Sequence, residues 1–339
     1  MRLPRPAALG LAAVGAALLV AGSVAPTFAA FSSQTENGGN LVAAAPDFRA
    51  PVVGTVTIAK LAGGTPGFVK PGGEYFVYAN VAADTGAPAS GIASVKANVS
   101  TVTTGSTAVT LSAGGFSVGG VSYGYRSAAL TASAVSAGAK AFTVTATDVA
   151  GNADVKEGTV SVDSTAPQAS DVQTTNAGAN GLPEQNDTVV FTFSEPVEPE
   201  SILAGWSGAA TNVVVKVNDN GLFGLPAGND SLEIWNAANS AALPLGAVDL
   251  GRNDYAAGVL GGNYRFGASG TASKMTISGN SLTVVLGTYN STVIVDAGRG
   301  TAAGTGTMAW TPVATPYDRA ANALSTTAAS ESGAADRDF

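Results

Sequence analysis

Apolar residues at every second position are the feature that most constrains the fold of this chain. In KAFTVTATD, residues 140–148, the apolar side chains of Phe142, Val144 and Ala146 alternate with threonines. Successive side chains of a β-strand point to opposite faces of a sheet, so this run predicts a strand with one buried face. Similar runs occupy residues 74–81, 93–100, 158–163, 187–194, 213–217, 231–235, 274–278 and 281–287. The chain is therefore predicted to be all-β, with antiparallel sheets.

The segments between these runs are typical of tight turns. DVAGNADV, residues 148–155, separates two alternating runs and is predicted to be a hairpin loop. The Asp148 side chain is expected to accept hydrogen bonds from nearby backbone amides, while Gly151 and Asn152 tolerate positive φ angles. Glycine is frequent, with 43 residues, and only 12% of all residues are charged. This composition favours many short strands over long helices.

Two residue types that serve many active sites are absent from the sequence. The chain contains no histidine and no cysteine. It therefore cannot form a Ser/His/Asp or Cys/His catalytic unit, an imidazole or thiolate zinc site, or a disulfide. Catalysis would require a carboxylate pair, a Ser/Lys dyad or a metal held by oxygen atoms.

Residues 1–29 are predicted to be a secretory signal peptide. Arg2 and Arg5 precede the apolar run ALGLAAVGAALLVAGSVA, which a proline ends. Thr27 and Ala29 suit the small-residue positions of a signal peptidase site, so cleavage is expected after Ala29. The alternative is an uncleaved membrane anchor, since the apolar run is nearly long enough to span a bilayer. In the cleaved protein, residues 30–50 are predicted to form an extended N-terminal segment.

Net charge and the C-terminal sequence indicate which partners and which form of surface attachment are expected. The formal net charge is -8, and cleavage of the signal peptide removes two arginines and no acid. An acidic secreted protein is a poor nucleic-acid binder, because phosphate recognition requires a basic surface. After Leu324 the chain is polar, with no apolar tail and no LPxTG-like sorting signal, so residues 326–339 are predicted to be a disordered tail. Contact with the membrane is expected only transiently, through the signal peptide.

The stretch AFSSQTENGGNLVAAAPDF follows the predicted cleavage site. It resembles the alternate-type signal region of camelysin-like and TasA-like secreted proteins, in which Phe-Ser precedes a polar segment and a short apolar step. The residues that carry the resemblance are Ala30, Phe31, Ser32, Thr35, Asn37, Gly39 and Asn40. The resemblance covers the N-terminal region only. It implies a dedicated signal peptidase and a Gram-positive cell-surface or matrix setting.

Two longer regions resemble bacterial Ig-like domains. The DVAGN turn, the strand ending in VDSTAP and the segment SGIASV are similar to one class of these domains, which implies an Ig-like domain over residues 51–165. FTFSEPVEPESI, SGNSLTVVL and YDRAANAL are similar to a second class, which implies another domain over residues 166–325, with extra hairpins. The predicted fold is therefore two tandem Ig-like antiparallel β-sandwiches, linked at Ser-Thr-Ala-Pro. Ala321 stands where the second class has glycine, which costs about 1 kcal/mol if φ is positive there.

Oxygen-rich turns offer ligands of the type that calcium prefers. Calcium takes roughly six to eight oxygen ligands, which loops at one end of a sandwich can supply. The alternative is ordinary turn chemistry, in which the same side chains bond to backbone amides. No other cofactor is expected. The candidate ligands are Asp84, Asp148, Asn152, Asp318 and Asn322.

Carboxylates and aromatic residues are candidates for glycosidic bond cleavage and for sugar binding. Glu195, Glu198 and Glu200 could supply an acid and a base for glycosidic bond cleavage, but the prolines between them are typical of a strand exit. The chain is therefore predicted not to be an enzyme. Exposed aromatic rings could stack on sugars, whereas buried rings would be core residues. The aromatic candidates are Trp206, Trp235, Tyr255, Tyr264, Tyr289 and Trp310.

These features predict a secreted, non-enzymatic structural or adhesive protein of the cell surface or extracellular matrix. Its expected partners are extracellular proteins or further copies of itself, and cell-wall or matrix glycans are another ligand class. Sheet edges offer unpaired backbone groups, so the segment from Ala30 to Pro51 is a candidate strand for addition to a neighbouring sheet. The alternative is a carbohydrate-binding or calcium-stabilised adhesion module.

Overall fold

The computed structural model describes residues 47–85, 88–133, 135–221, 228–257, 262–291 and 297–339. These residues belong to one compact unit. Their regular structure is almost entirely β-strand, apart from the four-residue helix α1 (Pro199–Ile202), so the all-β prediction is confirmed. Within this part of the chain, no helix combines the length and apolar character that crossing a membrane requires. The predicted signal peptide and residues 30–46 lie outside the described residues.

Nine strands build a first lobe around one sheet system. They are β1 (Val52–Lys60), β2 (Phe68–Val69), β3 (Glu74–Ala82), β4 (Ile92–Asn98), β5 (Val109–Val118), β6 (Val121–Ser127), β7 (Leu130–Thr131), β8 (Gly138–Asp148) and β9 (Ala153–Val162). The strands hydrogen-bond in the order β1-β3-β6-β5-β4-β8-β9-β2, and β7 pairs with β3. The short β2 runs parallel to β9. The predicted hairpin around DVAGN is present, because β8 pairs with β9 in antiparallel register.

Thirteen strands build a second lobe. They are β10 (Ala169–Thr175), β11 (Thr188–Phe193), β12 (Thr211–Asp219), β13 (Ser231–Asn236), β14 (Ala242–Asp249), β15 (Ala256–Ala257), β16 (Gly262–Phe266), β17 (Ser273–Ser278), β18 (Ser281–Val285), β19 (Tyr289–Asn290), β20 (Gly298–Arg299), β21 (Ala309–Thr311) and β22 (Ala329–Ser330). The main sheet has the order β10-β11-β18-β17-β12-β13-β14-β21-β22, with β16 paired to β12 and β19. Strands β15 and β20 form a separate ribbon.

Each lobe encloses its own apolar core. Phe142, Val144 and Ala146 are buried in the first core, while the threonines between them are half-buried. In the second core, Phe191 and Trp310 pack edge to face with their ring centroids 5.0 Å apart. The alternation of apolar residues therefore predicted the buried faces correctly. Among the described strands, none of one lobe pairs with a strand of the other.

The long loop after the first strand occupies an equivalent position in both lobes. Tip loop 1 is residues 61–74, between the paired residues Lys60 and Tyr75, and tip loop 2 is residues 175–188, between the paired residues Thr174 and Val189. The two loops have equal length, and the strands they join are paired at the base of each loop. Positive φ angles are shared at two positions, Gly67 and Gly72 in the first loop and Gly181 and Asn186 in the second. Gly63 and Gly64 also have positive φ angles, whereas Ala177 and Gly178 at the corresponding positions do not. The loops are therefore counterparts in position, and their backbone conformations agree in the second half and differ in the first.

The prediction of a disordered tail over residues 326–339 is wrong. β22 pairs with β21, and Phe339 is only 1% exposed. The Phe339 ring packs edge-on against Tyr255, with 5.8 Å between ring centroids. Thr174 Oγ1 also donates a hydrogen bond to Asp338 at 3.0 Å. A polar composition predicts disorder only when no partner is in reach, and here distant strands supply both an apolar contact and hydrogen-bond partners.

Candidate functional site

The turn between β8 and β9 holds the incoming chain of the first lobe. Asp148 accepts hydrogen bonds from the backbone N of Asn152 at 2.8 Å and from its Nδ2 at 2.9 Å. Asn152 Nδ2 also donates to the carbonyl oxygen of Asp47 at 3.0 Å. Gly151 supplies the positive φ, 95°, that the turn requires. Residues 47–50, assigned from sequence to the extended N-terminal segment, are thus bound to the first lobe.

The turn over residues 318–322 has the same geometry in the second lobe. Asp318 accepts from the backbone N and the Nδ2 of Asn322 at 2.7 and 2.8 Å. Asn322 Nδ2 donates to the carbonyl oxygen of Asp163 at 3.1 Å. Ala321 has a φ of 73°, so the alanine at the glycine position adopts the left-handed conformation. The two closing turns are therefore counterparts, and so are the incoming segments DFRAP and DSTAP that they hold.

A buried ion pair connects the two lobes. Lys60, at the end of β1, places its Nζ 2.9 Å from Oε2 of Glu198, and the two side chains are 5% and 4% exposed. Lys60 Nζ also donates to the carbonyl oxygen of Arg319 at 2.9 Å. Glu198 accepts from the backbone N of Thr65 at 2.9 Å and from Thr65 Oγ1 at 3.2 Å. Both charges are therefore hydrogen-bonded, as burial of a charge requires.

Further contacts seat tip loop 1 on the closing turn of the second lobe. Lys70 Nζ donates to the carbonyl oxygen of Ala321 at 2.8 Å. Gly64 lies so close to Glu198 that a Cβ at this position would be 2.7 Å from Oε2. The Arg319 guanidinium lies 5.8 Å from the centroid of the Phe68 ring. This end of the second lobe, called the covered end below, is thus occupied by a loop of the first lobe.

The corresponding end of the first lobe is apolar and exposed. Phe48 is 79% exposed and Val149 is 71% exposed, and both line a shallow depression of about 530 Å³. A hydrogen bond of 2.8 Å from the backbone N of Val53 to Asp154 Oδ2 holds the starts of β1 and β9 side by side. Four side chains that are more than half exposed define this surface, which we call the free end: Phe48, Val52, Val149 and Val155.

The covered end carries polar residues at the matching positions. In the incoming segments, Phe48 corresponds to Ser164, and in the closing turns Val149 corresponds to Arg319. At these two positions the second lobe is polar and the first lobe is apolar; Ser164 is exposed and Arg319 is half-buried. Exposure of Phe48 and Val149 is unfavourable in water, so the free end is the candidate interaction surface.

Three carboxylates meet beneath the closing turn of the second lobe. Ligand atoms of Asp163, Glu195 and Asp318 all lie within 4.8 Å of one another. Burial, together with the charges of Asp163 and Asp318, raises the pKa of Glu195 to about 7. Oε1 of Glu195 is buried and, among the described residues, has no hydrogen-bond donor. The raised pKa favours a protonated Glu195 near neutral pH, and a protonated carboxyl can donate a hydrogen bond to a neighbouring carboxylate such as that of Asp163.

The candidate calcium ligands are divided between the lobes. Asp148 bonds to Asn152, and Asp318 bonds to Asn322, in the pattern of ordinary turn chemistry. Asp84 follows β3, and its two buried carboxylate oxygens lack hydrogen-bond partners among the described residues. Of these five residues, Asp318 alone belongs to a group of acids close enough to share an ion within the described part of the chain.

The glutamates and aromatic residues considered from sequence have varied surroundings. Glu195 lies in the carboxylate cluster, Glu198 binds Lys60 and Thr65, and Glu200 is exposed. The Trp235 ring is half-buried, with the ammonium of Lys216 at 3.1 Å from its centroid. Tyr289 is half-buried too. The remaining aromatic candidates are buried: Trp206, Tyr255, Tyr264 and Trp310.

Sequence reasoning missed the residues that join the lobes. Lys60, Thr65 and Lys70 belong to no motif, and a lysine at a strand end is ordinarily solvated. One available signal was the repeat of Asp-x-x-Ala-Pro before each lobe, at residues 47–51 and 163–167. It would have placed residues 47–50 in the first lobe and marked its two ends as comparable surfaces.

Comparison with known proteins adds no further assignment. No protein-family model matches the sequence, and no curated protein is significantly similar to it.

Proposed function

We propose that this chain is a secreted, non-enzymatic structural or adhesive protein of the cell surface or extracellular matrix that acts through protein–protein contacts. The observation that carries the proposal is the free end of the first lobe. Soluble proteins that expose large apolar side chains together commonly use them to bind a partner. The counterpart surface of the second lobe is already occupied by another β-lobe, so the position is suited to protein docking.

The junction between the lobes supports a structural role. Separation of the lobes would leave Lys60 and Glu198 without the partner that compensates their burial. A buried ion pair adds little net stability over an apolar contact, but breaking it by removal of one partner is costly. The pair therefore favours one fixed arrangement of the lobes, which suits a protein that holds its partners at a set distance.

Sequence features support export and the absence of catalysis. Arg2 and Arg5 precede an apolar run that ends at a peptidase-like site, which is the pattern of a secretory leader. The whole chain lacks histidine and cysteine, the residues of the commonest nucleophilic and zinc-dependent mechanisms. Both features fit a protein whose activity is assembly or adhesion.

Retention on producing cells tests the proposal. The protein is expressed with its own leader in a Gram-positive host, and its amounts in the envelope or matrix fraction and in the medium are compared. The double variant Phe48→Ser/Val149→Arg gives the free end the residues that the covered end has at the same positions. Val313→Arg, at a partly exposed valine elsewhere, is the control. The double variant should move into the medium while the control stays with the cells; equal retention of all three proteins would overturn the proposal.

Strand addition by the N-terminal segment is a separate route to assembly. The structure shows where the truncated chain should begin. Asp47 is bound by Asn152, so a chain that begins at Pro51 would lose a contact of the first lobe. Light scattering should therefore compare chains that begin at Ala30 and at Ala45. Growth of large species by the longer chain alone supports strand addition, and identical behaviour of both chains contradicts it.

A calcium-stabilised adhesion module is the second candidate. It is favoured by the cluster of Asp163, Glu195 and Asp318, together with the buried, unpartnered Oε1 of Glu195. Oxygen ligands from carboxylates are the type that calcium prefers. Calcium should raise the unfolding temperature of the wild type relative to a chelator, and Glu195→Gln should abolish the rise. An unfolding temperature that does not respond to calcium would eliminate this candidate.

A further inference from the structure

We propose that the partner of the free end is tip loop 2 of a second copy of this chain. The inference rests on the proposed function, because it names the partner of the same surface. Its template is the junction inside the molecule, where tip loop 1 occupies the covered end. The same pair of surfaces, a tip loop and a lobe end, is left over at the two extremes of the lobe pair.

Tip loop 2 is exposed where tip loop 1 makes its contact. Gly64 and Thr65 touch Glu198, and by position along the loops they correspond to Gly178 and Ala179. Residues 177–180, Ala-Gly-Ala-Asn, are exposed. Glu184 fixes this tip from within, since its Oε2 accepts from the backbone N of Ala179 at 2.7 Å. The conformation of the tip is therefore fixed within its own lobe, and its exposed residues are accessible to a partner.

The base of tip loop 2 is held within its own lobe. Thr174, which corresponds to Lys60, donates its hydroxyl to Asp338. The backbone N of Gly181 donates to the carbonyl oxygen of Phe339. Only the outer part of the loop, residues 177–180, is thus left to meet another molecule. This part corresponds by position to the segment that contacts Glu198 in the junction, although Gly63 and Gly64 have positive φ angles and Ala177 and Gly178 do not.

The proposed contact lacks the charged residues of the junction on both of its surfaces. The first-lobe residues that donate to the covered end are Lys60, Thr65 and Lys70, and their counterparts in the second lobe are Thr174, Ala179 and Glu184. On the receiving side, Val197 bridges to Asp318 just before Glu198, whereas in the first lobe Ile92 pairs with Asp148 just before Ala93. Ala93 is exposed. The lysine and the glutamate of the junction are therefore both absent from the proposed contact.

The absence of both charges affects the free energy of docking. If only one side had lost its charge, docking would bury the other charge without a partner, which is strongly unfavourable. Because both are gone, the surfaces can meet without that cost. Ala177 and Ala179 then face an end that carries Phe48 and Val149, so contact removes apolar surface from water on both sides.

The geometry of such a contact determines the kind of assembly. Each copy offers one tip loop 2 and one free end, so the contact is heterologous and joins copies head to tail. Heterologous contacts extend into open chains unless the rotation between copies closes a ring. An isologous dimer, in which two free ends pair with each other, is the competing arrangement.

Variants blocked at one end distinguish these arrangements. The mature protein beginning at Ala30 is studied by sedimentation velocity over a range of concentrations. Phe48→Ser/Val149→Arg blocks the free end, and Ala179→Arg blocks the loop. Arginine at position 149 should not disturb folding, because Arg319 occupies the same position of the counterpart turn. Val313→Arg again serves as the matched control.

Head-to-tail docking predicts a specific set of results. The wild type and the control should associate increasingly with concentration, and each end-blocked variant alone should stay monomeric. An equimolar mixture of the two blocked variants should form dimers and nothing larger, because one intact loop and one intact end remain. A wild type that stays monomeric throughout would overturn the inference, and the retention experiment would still test the proposed function. Association lost on blocking the free end but kept in Ala179→Arg would overturn the inference while leaving the free end as a contact surface.

Discussion

Lys60 and Glu198 form an ion pair across the two lobes, with 2.9 Å between Nζ and Oε2 and almost no exposure of either side chain. Two further groups of tip loop 1, both from Thr65, bind the same carboxylate. The junction therefore depends on Glu198 more than on any other single residue of the covered end. This dependence makes the carboxylate the most direct point at which to test the coupling of the lobes.

Glu198→Ala should destabilise the protein by about 3–5 kcal/mol, because Lys60 is left buried without a counter-charge. Denaturant unfolding measures the loss. The matched control is Glu200→Ala, since Glu200 is exposed nearby and its removal should change the free energy of unfolding by about 0.5 kcal/mol or less. Replacing both partners, as in Lys60→Met/Glu198→Leu, should restore much of the loss. Equal effects of the two alanine variants would contradict the importance of the pair.

The closing turns offer a reciprocal test of backbone conformation. Ala321 and Gly151 occupy the same turn position with φ angles of 73° and 95°. Ala321→Gly should therefore stabilise the protein by about 1 kcal/mol, and Gly151→Ala should destabilise it by a similar amount. A Cβ at position 151 would meet no atom within 4 Å, so the cost there is one of backbone strain alone. Thermal unfolding of both variants checks the opposite signs; changes of the same sign would be inconsistent with equivalent turns.

Mild acid should stabilise the second lobe. Burial raises the pKa of Glu195 and Glu331 to about 7 and the pKa of Asp230 and Asp338 to about 6. The unfolded chain loses these protons at about pH 4, whereas the folded chain keeps them to higher pH. The folded state thus binds more protons between about pH 4 and pH 7, so its stability falls as pH rises through this window.

Unfolding measured in urea at several pH values checks this direction. The midpoint should be higher at about pH 5 than at about pH 8. Glu195→Gln cannot ionise, so it should make the pH dependence shallower. A midpoint that is constant or rises over this range would show that the buried carboxyl groups do not control stability.

The C-terminal segment should contribute to stability even though its composition is polar. Phe339→Ala removes a ring that is 1% exposed and packs on Tyr255, so a loss of about 3–5 kcal/mol is expected. Calorimetry measures the change. Arg337→Ala is the control, because Arg337 is exposed two residues earlier. If Phe339→Ala and Arg337→Ala have the same small effect, the segment is not part of the folded core.

Processing of the leader gives a prediction that is independent of the fold. The secreted protein should begin at Ala30, because Thr27 and Ala29 provide the small residues before the cleavage site. Intact-mass analysis of protein from the medium identifies the first residue. Recovery of the protein only from membranes, with residues 1–29 still attached, would support the anchor alternative.

The sequence by itself determined the nine strands with alternating apolar residues and the closing turns. Apolar residues at every second position show which side chains face the core, because alternate side chains of a strand point to opposite faces. Phe142, Val144 and Ala146 show this directly, since all three are buried. A turn such as Asp148–Asn152 is equally local, because its hydrogen bonds join residues four positions apart. Short-range patterns are sufficient for features whose interactions are short-range.

Only the tertiary structure showed the junction, the free end and the packing of the C-terminal segment against the second lobe. Lys60 and Glu198 are 138 residues apart in sequence, and Thr174 and Asp338 are 164 apart. No local pattern distinguishes a lysine that is buried by a distant glutamate from one that is solvated, because the difference lies in what the folded chain brings beside it. The same holds for Phe48 and Val149. They indicate a candidate interaction surface only by comparison with Ser164 and Arg319, the polar residues at the matching positions of the second lobe.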